Sequence, residues 1–157
     1  MKIFRIRLKD LIFYVGITVA IGFVGSCLGG DTEATYKTLI KPPLSPPTIL
    51  FPIVWTILYI LLGIAAYLIS EKHNSDTKSA LRLYWIQIIA NSLWSLFFWR
   101  FEWFTFAAIW IGLLIVLTAI LIPKFARLNR TSAWLFLPYL VWLFFALYLN
   151  IGFAILN

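Results

Sequence analysis

The sequence predicts an all-α membrane protein, a five-transmembrane-helix bundle with a long Pro-rich first extramembrane loop, forming one domain over residues 1–157. Three observations predict it. Apolar residues make up 62% of the chain and charged residues 12%. A soluble domain carries about 25% charged residues, so most of this surface must face lipid. Nearly uncharged runs recur at about 11–30, 48–70, 80–99, 103–123 and 132–156, each near the ~20 residues that cross a bilayer as a helix. Ten-residue alternating segments, the mark of a membrane β-barrel, are absent.

The first span (11–30) follows Lys2, Arg5, Arg7 and Lys9. Gly25 and Gly29, and Gly16 with Ala20, have the small-x-x-x-small spacing that lets helices approach closely, within the bundle or between protomers of a homodimer. Val24-Gly25-Ser26-Cys27 could pass for a lipoprotein cleavage site. The apolar run is longer than a signal h-region, however, and four further spans follow. Cys27 is the sole cysteine, so no intrachain disulfide forms.

The loop 31–47 is the long one, a length that usually means function or disorder. Its second half, Lys41-Pro42-Pro43-Leu44-Ser45-Pro46-Pro47, is expected to be stiff and extended, because each proline fixes its own φ and keeps its predecessor out of the helical region. It is either a rigid connector or a lid over the bundle's outer mouth. In the second span (48–70), Trp55 and Tyr59 share a helical face. The third (80–99) carries Gln87, Asn91, Trp94 and Ser95 on one face, and amides in hydrocarbon must point at partners. The fourth (103–123) ends at Pro123, ahead of a loop 124–130. In the fifth (132–156), Tyr139, Trp142, Ala146 and Asn150 align, and Pro138 should kink the helix.

Charge sets the expected orientation. Of 13 Lys and Arg, 10 flank the N-terminus and the second and fourth loops. Lys37, Lys41 and Arg100 are alone on the other side. The positive-inside rule then puts the N-terminus in the cytoplasm of a multi-pass cell-membrane protein and the C-terminus outside. The net charge of +7 is therefore topological, and no nucleic-acid-binding module accompanies it.

Catalytic constellations are missing. His73 is the only histidine and lies in a charged loop. No Cys/His/Asp cluster has metal spacing, so neither a metal nor a cofactor is expected. Trp85, Trp99, Trp103 and Trp134 fall near span ends and suit the aromatic belt. Trp55, Trp94 and Trp142 lie deeper. With the amides and Ala146 they would line a flat, mostly apolar pocket for a polycyclic ligand. Alternatively the amides only join helices, at about 0.6 kcal/mol each.

Three ordered motifs sharpen this reading. The first is Tyr36-x4-Lys41-Pro42-x-Leu44-x-Pro46-Pro47 followed by Pro52-x-x-Trp55-Thr56-x-Leu58-Tyr59-x-Leu61-x-Gly63. The second is Ala80-Leu81-Arg82-x-Tyr84-x-x-Gln87-x-x-x-Asn91-x-x-Trp94-Ser95-x-x-Phe98-Trp99, and the third Leu137-Pro138-Tyr139-Leu140-x-Trp142-x-x-Phe145-Ala146-x-x-Leu149-Asn150. From about Tyr36 to Asn157 the chain resembles the translocator protein family, also called tryptophan-rich sensory proteins or peripheral-type benzodiazepine receptors.

The resemblance implies an intrabundle pocket for protoporphyrin IX and other polycyclic apolar ligands. Carried over by motif, that pocket uses Tyr36, Pro46, Trp55, Tyr59, Asn91, Trp94, Ser95, Trp142, Ala146 and Leu149. It also implies light-dependent porphyrin breakdown through Trp55 and Trp142. The sequence departs from the family pattern at Thr35, where many members have Trp. Nothing basic follows Tyr148, so the family's cholesterol motif is absent. With no His or Met inside the spans to ligate haem iron, a metal-free porphyrin fits better than haem. Two other functions stay open from the residues: a transporter of tetrapyrroles or other amphipaths, and a structural or regulatory membrane partner resting on the Gly25/Gly29 face.

Overall fold

The computed structural model describes residues 7–157; Lys2 and Arg5 of the N-terminal cationic flank lie outside the described residues. Seven α-helices follow one another: α1 (Leu8–Leu28), α2 (Thr32–Thr38), α3 (Leu50–Ser70), α4 (Ser75–Ser95), α5 (Phe104–Leu128), α6 (Arg130–Leu135) and α7 (Leu137–Leu156). Four stretches are long and apolar enough to cross a membrane: α1, α3, α5, and α6 with α7 taken together. The fold is an all-helical bundle of the multi-pass membrane kind. Helix α4 is as long as α1 and α3, at 21 residues, but Asp76, Lys78, Arg82, Gln87 and Asn91 dilute its hydropathy.

Helix α4 is the bundle's polar post, touching α1, α3 and α5. Four rungs of its inner face reach other helices. Tyr84 shares a hydrogen bond with Thr18 of α1 (2.7 Å). Gln87 Nε2 donates to Thr118 of α5 and Tyr139 of α7 (2.8 and 2.7 Å). Asn91 Nδ2 donates to the Tyr59 hydroxyl of α3 (2.8 Å), and Trp94 Nε1 to Asn150 Oδ1 of α7 (3.0 Å). Buried amides and phenols must be satisfied inside lipid, so this ladder fixes which face of each helix turns inward.

Helix α1 is held differently, by close approach. A Cβ on Gly63 would lie 2.6 Å from Val15 Cα, and one on Gly25 would lie 2.8 Å from the Ser92 carbonyl oxygen. On Gly22 it would enter the Tyr59 ring, and on Gly29 it would sit 3.3 Å from Trp99. The Gly25/Gly29 pair is therefore used within the bundle. Gly16 meets nothing within 4 Å.

Several boundaries differ from the sequence expectation. The first half of the long loop forms α2, capped by the Asp31 carboxylate accepting from Ala34 N–H (3.0 Å) and braced by a Glu33–Lys37 pair (2.7 Å). Residues 39–49 carry no helix, as the prolines require. Helix α5 does not stop at Pro123 but continues to Leu128, shrinking the loop 124–130 to Asn129. Pro123 removes one backbone bond, while Phe125 beyond it is fully buried against Phe136 (4.8 Å) and Tyr84 (6.1 Å). Pro138 does not kink a continuous helix either. The chain breaks at Phe136, and Pro138 falls in the first turn of α7, where its missing N–H costs nothing.

The sequence reading also missed a π-turn over Leu96–Arg100, closed by Phe101 N–H to the Leu96 carbonyl (3.1 Å). The extra residue in the turn swings Phe98 and Trp99 inward, and both are buried.

Candidate functional site

The outer half of the bundle is organised by an aromatic wall. Phe51 and Trp55 are four residues apart on α3, so one face presents both. Trp94 comes from α4, and Trp99 from the π-turn. Ring centroids along the wall are 6.3 Å apart for Trp55–Trp94, 6.4 Å for Trp94–Trp99 and 6.0 Å for Phe51–Trp99.

On the α1 side of this wall lies a cavity of about 350 Å³. Trp55, Tyr59, Asn91, Trp94 and Ser95 line it from the wall side, and Val19, Gly22, Phe23 and Ser26 of α1 close the other. Tyr59 stacks on Trp55 (5.8 Å) while its hydroxyl takes the Asn91 amide proton. Asn91 is 2% exposed, and its Oδ1 has no partner. Asn91 thus lines a cavity of mixed polar and apolar character, while its own Oδ1 is enclosed and left unpaired.

On the α7 side the same wall faces a slot lined by Trp142, Ala146, Leu149, Asn150 and Phe153. Its free space is about 10 Å³, room for one water at most. Trp142 packs edge-on against Trp55 (6.2 Å, 87°), and its Nε1 has no partner.

Tyr36 and Pro46 line neither space. They bind each other, the Tyr36 hydroxyl donating to the Pro46 carbonyl (2.5 Å). The Tyr36 ring meets Phe51, Trp99 and Phe153 edge-on at 5.7–6.1 Å, with Lys41 Nζ 4.8 Å over its face. Burial pushes the phenol above the ordinary tyrosine range, with a smaller opposing effect from the Ser45 hydroxyl. It thus stays a neutral donor, the keystone by which the loop roofs the wall.

The ten motif-derived residues thus fall into three groups: Trp55, Tyr59, Asn91, Trp94 and Ser95 on the cavity; Trp142, Ala146 and Leu149 on the slot; Tyr36 and Pro46 in the roof. Trp55 and Trp94 reach both spaces. The residues missed were Phe51, Trp99 and the α1 stretch 19–26. Phe51 was findable, one helical turn before Trp55. Trp99 is buried in the wall and not in the aromatic belt that its place near a span end suggests, because it lies five residues after Trp94 and the π-turn brings both to one face. Trp103 and Trp134 are exposed, at 54% and 69%. Among the described residues no group of three His, Cys, Asp or Glu is placed to hold a metal.

A bundle of long apolar helices around a tryptophan wall, roofed by a proline-rich loop, has a counterpart among known families. The model of the TspO/MBR family matches residues 14–156. The chain belongs to this family. The match begins well before Tyr36 and so takes in the α1 stretch that closes the cavity. Relatives extend across kingdoms. The tryptophan-rich protein TspO of Chlorobaculum tepidum is 34% identical over 154 residues, covering 96% of this chain and 98% of its own. The translocator protein homolog of Schizosaccharomyces pombe is 32% identical over 146 residues, covering 90% and 88%. The translocator protein of Ovis aries is 31% identical over 133 residues, covering 82% and 79%. As a TspO/MBR member the chain is a multi-pass membrane protein of the tryptophan-rich sensory protein and translocator protein group.

Proposed function

We propose that this protein is a membrane receptor that binds metal-free porphyrins such as protoporphyrin IX, and related flat polycycles, in the α1-side cavity. The observation that carries the reading is the cavity itself. At about 350 Å³ it lies within the range of small-molecule sites, three indoles line it, and beside them Asn91 keeps an unpaired Oδ1 that a small side-chain rotation would offer to a donor. Pyrrole N–H groups are such donors, and an iron in their place would remove them.

In this reading the whole chain is one five-span domain, α4 being the third span. It crosses because Tyr84, Gln87 and Asn91 turn to other helices, while Asp76, Lys78 and Arg82 lie in its first turns at the cytoplasmic end. The N-terminus is cytoplasmic, and the 31–47 loop lies outside with the C-terminus. Light-dependent breakdown of the bound porphyrin is the accompanying activity, with Trp55 and Trp142 as the reacting indoles. Trp55 touches the cavity, whereas Trp142 stands behind it in the slot. Trp55→Phe should therefore reduce breakdown more than Trp142→Phe.

The test is a protoporphyrin titration of purified protein by tryptophan-fluorescence quenching in darkness, followed by absorbance under light. Saturable quenching that is lost in Ser95→Phe supports the binding site, and light-dependent bleaching that needs Trp55 supports the chemistry. Quenching that does not saturate, or that survives Ser95→Phe, refutes porphyrin binding in this cavity.

A further inference from the structure

The route into the cavity can be read from what surrounds it. At the end nearest the 31–47 loop only the half-buried Thr32 and Thr48 border it, and the loop itself is fastened to α7. Asn157 brackets Ile40, accepting from its N–H (2.9 Å) and donating to its carbonyl (3.0 Å). The Tyr148 hydroxyl donates to the Pro43 carbonyl (2.6 Å). Pro42 packs on Gly152, where an added Cβ would come within 2.6 Å of it.

The side facing α1 and the start of α3 is different. Phe23, Ser26, Pro52 and Thr56 line the cavity and are also exposed, which makes them its mouth. Their exposed neighbours are Val24, Ile49, Ile53 and Ile57, a rim suited to acyl chains and not to water. Phe23 precedes the α1 terminus at Leu28 by five residues, about 7.5 Å of helix. Thr56 follows the α3 start at Leu50 by six, about 9 Å. Both depths fall within the ~15 Å that one leaflet's hydrocarbon occupies.

Helix α1 is held by close glycine contacts more than by hydrogen bonds. The Thr18 hydroxyl bonds to Tyr84, but beyond Thr18, among the described residues, α1 makes no hydrogen bond to another helix; the Ser26 hydroxyl donates to its own Phe23 carbonyl. Thr56 likewise donates to Pro52 (2.7 Å). With both protons turned to the backbone, each hydroxyl oxygen is left as an acceptor at an apolar mouth.

We propose that the cavity exchanges its ligand sideways, between α1 and α3, with the leaflet next to the 31–47 loop. The ligand is then a membrane-dissolved amphipath carrying a hydrogen-bond donor, and the fastened loop is a roof and not an entrance. The proposal rests on the ligand-binding reading above for the role of the cavity, and the test separates the two.

Full-length protein with Cys27→Ser is reconstituted in vesicles preloaded with metal-free protoporphyrin, and association is followed by porphyrin fluorescence. Blocking the mouth with Ser26→Phe and Thr56→Phe should slow association at least tenfold. Locking the roof by a short bismaleimide between Pro43→Cys and Tyr148→Cys should change it less than twofold. The reverse pattern, or equal slowing by both, overturns the proposal. A second readout needs no porphyrin. Photolysis of a phosphatidylcholine bearing an acyl-chain diazirine should label the Asn91–Trp99 wall, with labelling lost in the blocked variant and kept in the locked one. Labelling absent from the wall, or surviving the block, also overturns it. If the labelling pattern holds while porphyrin shows no association, the portal stands and the porphyrin reading falls. Thr56→Phe alone, with its unfolding midpoint checked, guards against a misfolded double variant.

Discussion

One aromatic wall serves two spaces that have come out opposite. Towards α7 it leaves only about 10 Å³; towards α1 it leaves about 350 Å³. The difference lies in what each helix offers. Helix α7 sends Trp142, Leu149 and Phe153 at the wall and locks Asn150 to Trp94 by a hydrogen bond. Helix α1 offers Val19, Gly22 and Ser26, with Phe23 at the edge and largely exposed, and its glycines fix its contacts with Tyr59, Ser92 and Trp99. Small residues at crossings and modest ones between them leave a gap. A set of site residues inferred from motifs does not distinguish a space from a packed seam, and here it mixed the two.

The comparison can be broken first on the open side. Ser95→Phe places a ring in the cavity and should weaken porphyrin binding about 100-fold, on the order of 2.7 kcal/mol, with the unfolding midpoint nearly unchanged; a fluorescence titration and a thermal melt in detergent decide it. Ala146→Phe tests the closed side. The slot has no room, so overpacking should destabilise the fold by roughly 1–3 kcal/mol, while porphyrin affinity in the folded fraction stays within a few-fold of wild type. A smaller effect comes from Trp94→Phe, which leaves the buried Asn150 Oδ1 unpaired at a cost of about 1 kcal/mol or slightly more, read as a lower midpoint. Thr18→Val, cutting the hydrogen bond between α1 and Tyr84, should cost only about 0.6 kcal/mol, the usual size for such bonds in membranes. A loss several times larger would mean that α1 is anchored there far more firmly than its glycine contacts suggest.

Much of the fold was legible because lipid makes hydropathy a strict code. The long apolar stretches follow from composition, and the inward face of α4 from amides that cannot face hydrocarbon. The absence of helix over 39–49 follows from proline geometry, but the extended run expected there is broken by a turn at Pro42–Ser45 with Leu44 at φ +65°. What escaped was register and termination. The helical continuation past Pro123 depends on Phe125 packing between Tyr84 and Phe136, which are distant in sequence. The π-turn that brings Trp99 to the wall inserts one residue without a glycine or proline to mark it. The cavity's α1 side was invisible because its character lies in small side chains, whose effect is the room they leave.

A structure of the protein with bound metal-free protoporphyrin tests the central claim most directly. The account predicts the macrocycle against Trp55, Trp94 and Trp99 on the α1 side, with a pyrrole N–H directed at Asn91 Oδ1 and α7 undisplaced. A macrocycle seated between the wall and α7, against Trp142 and Ala146, would contradict it.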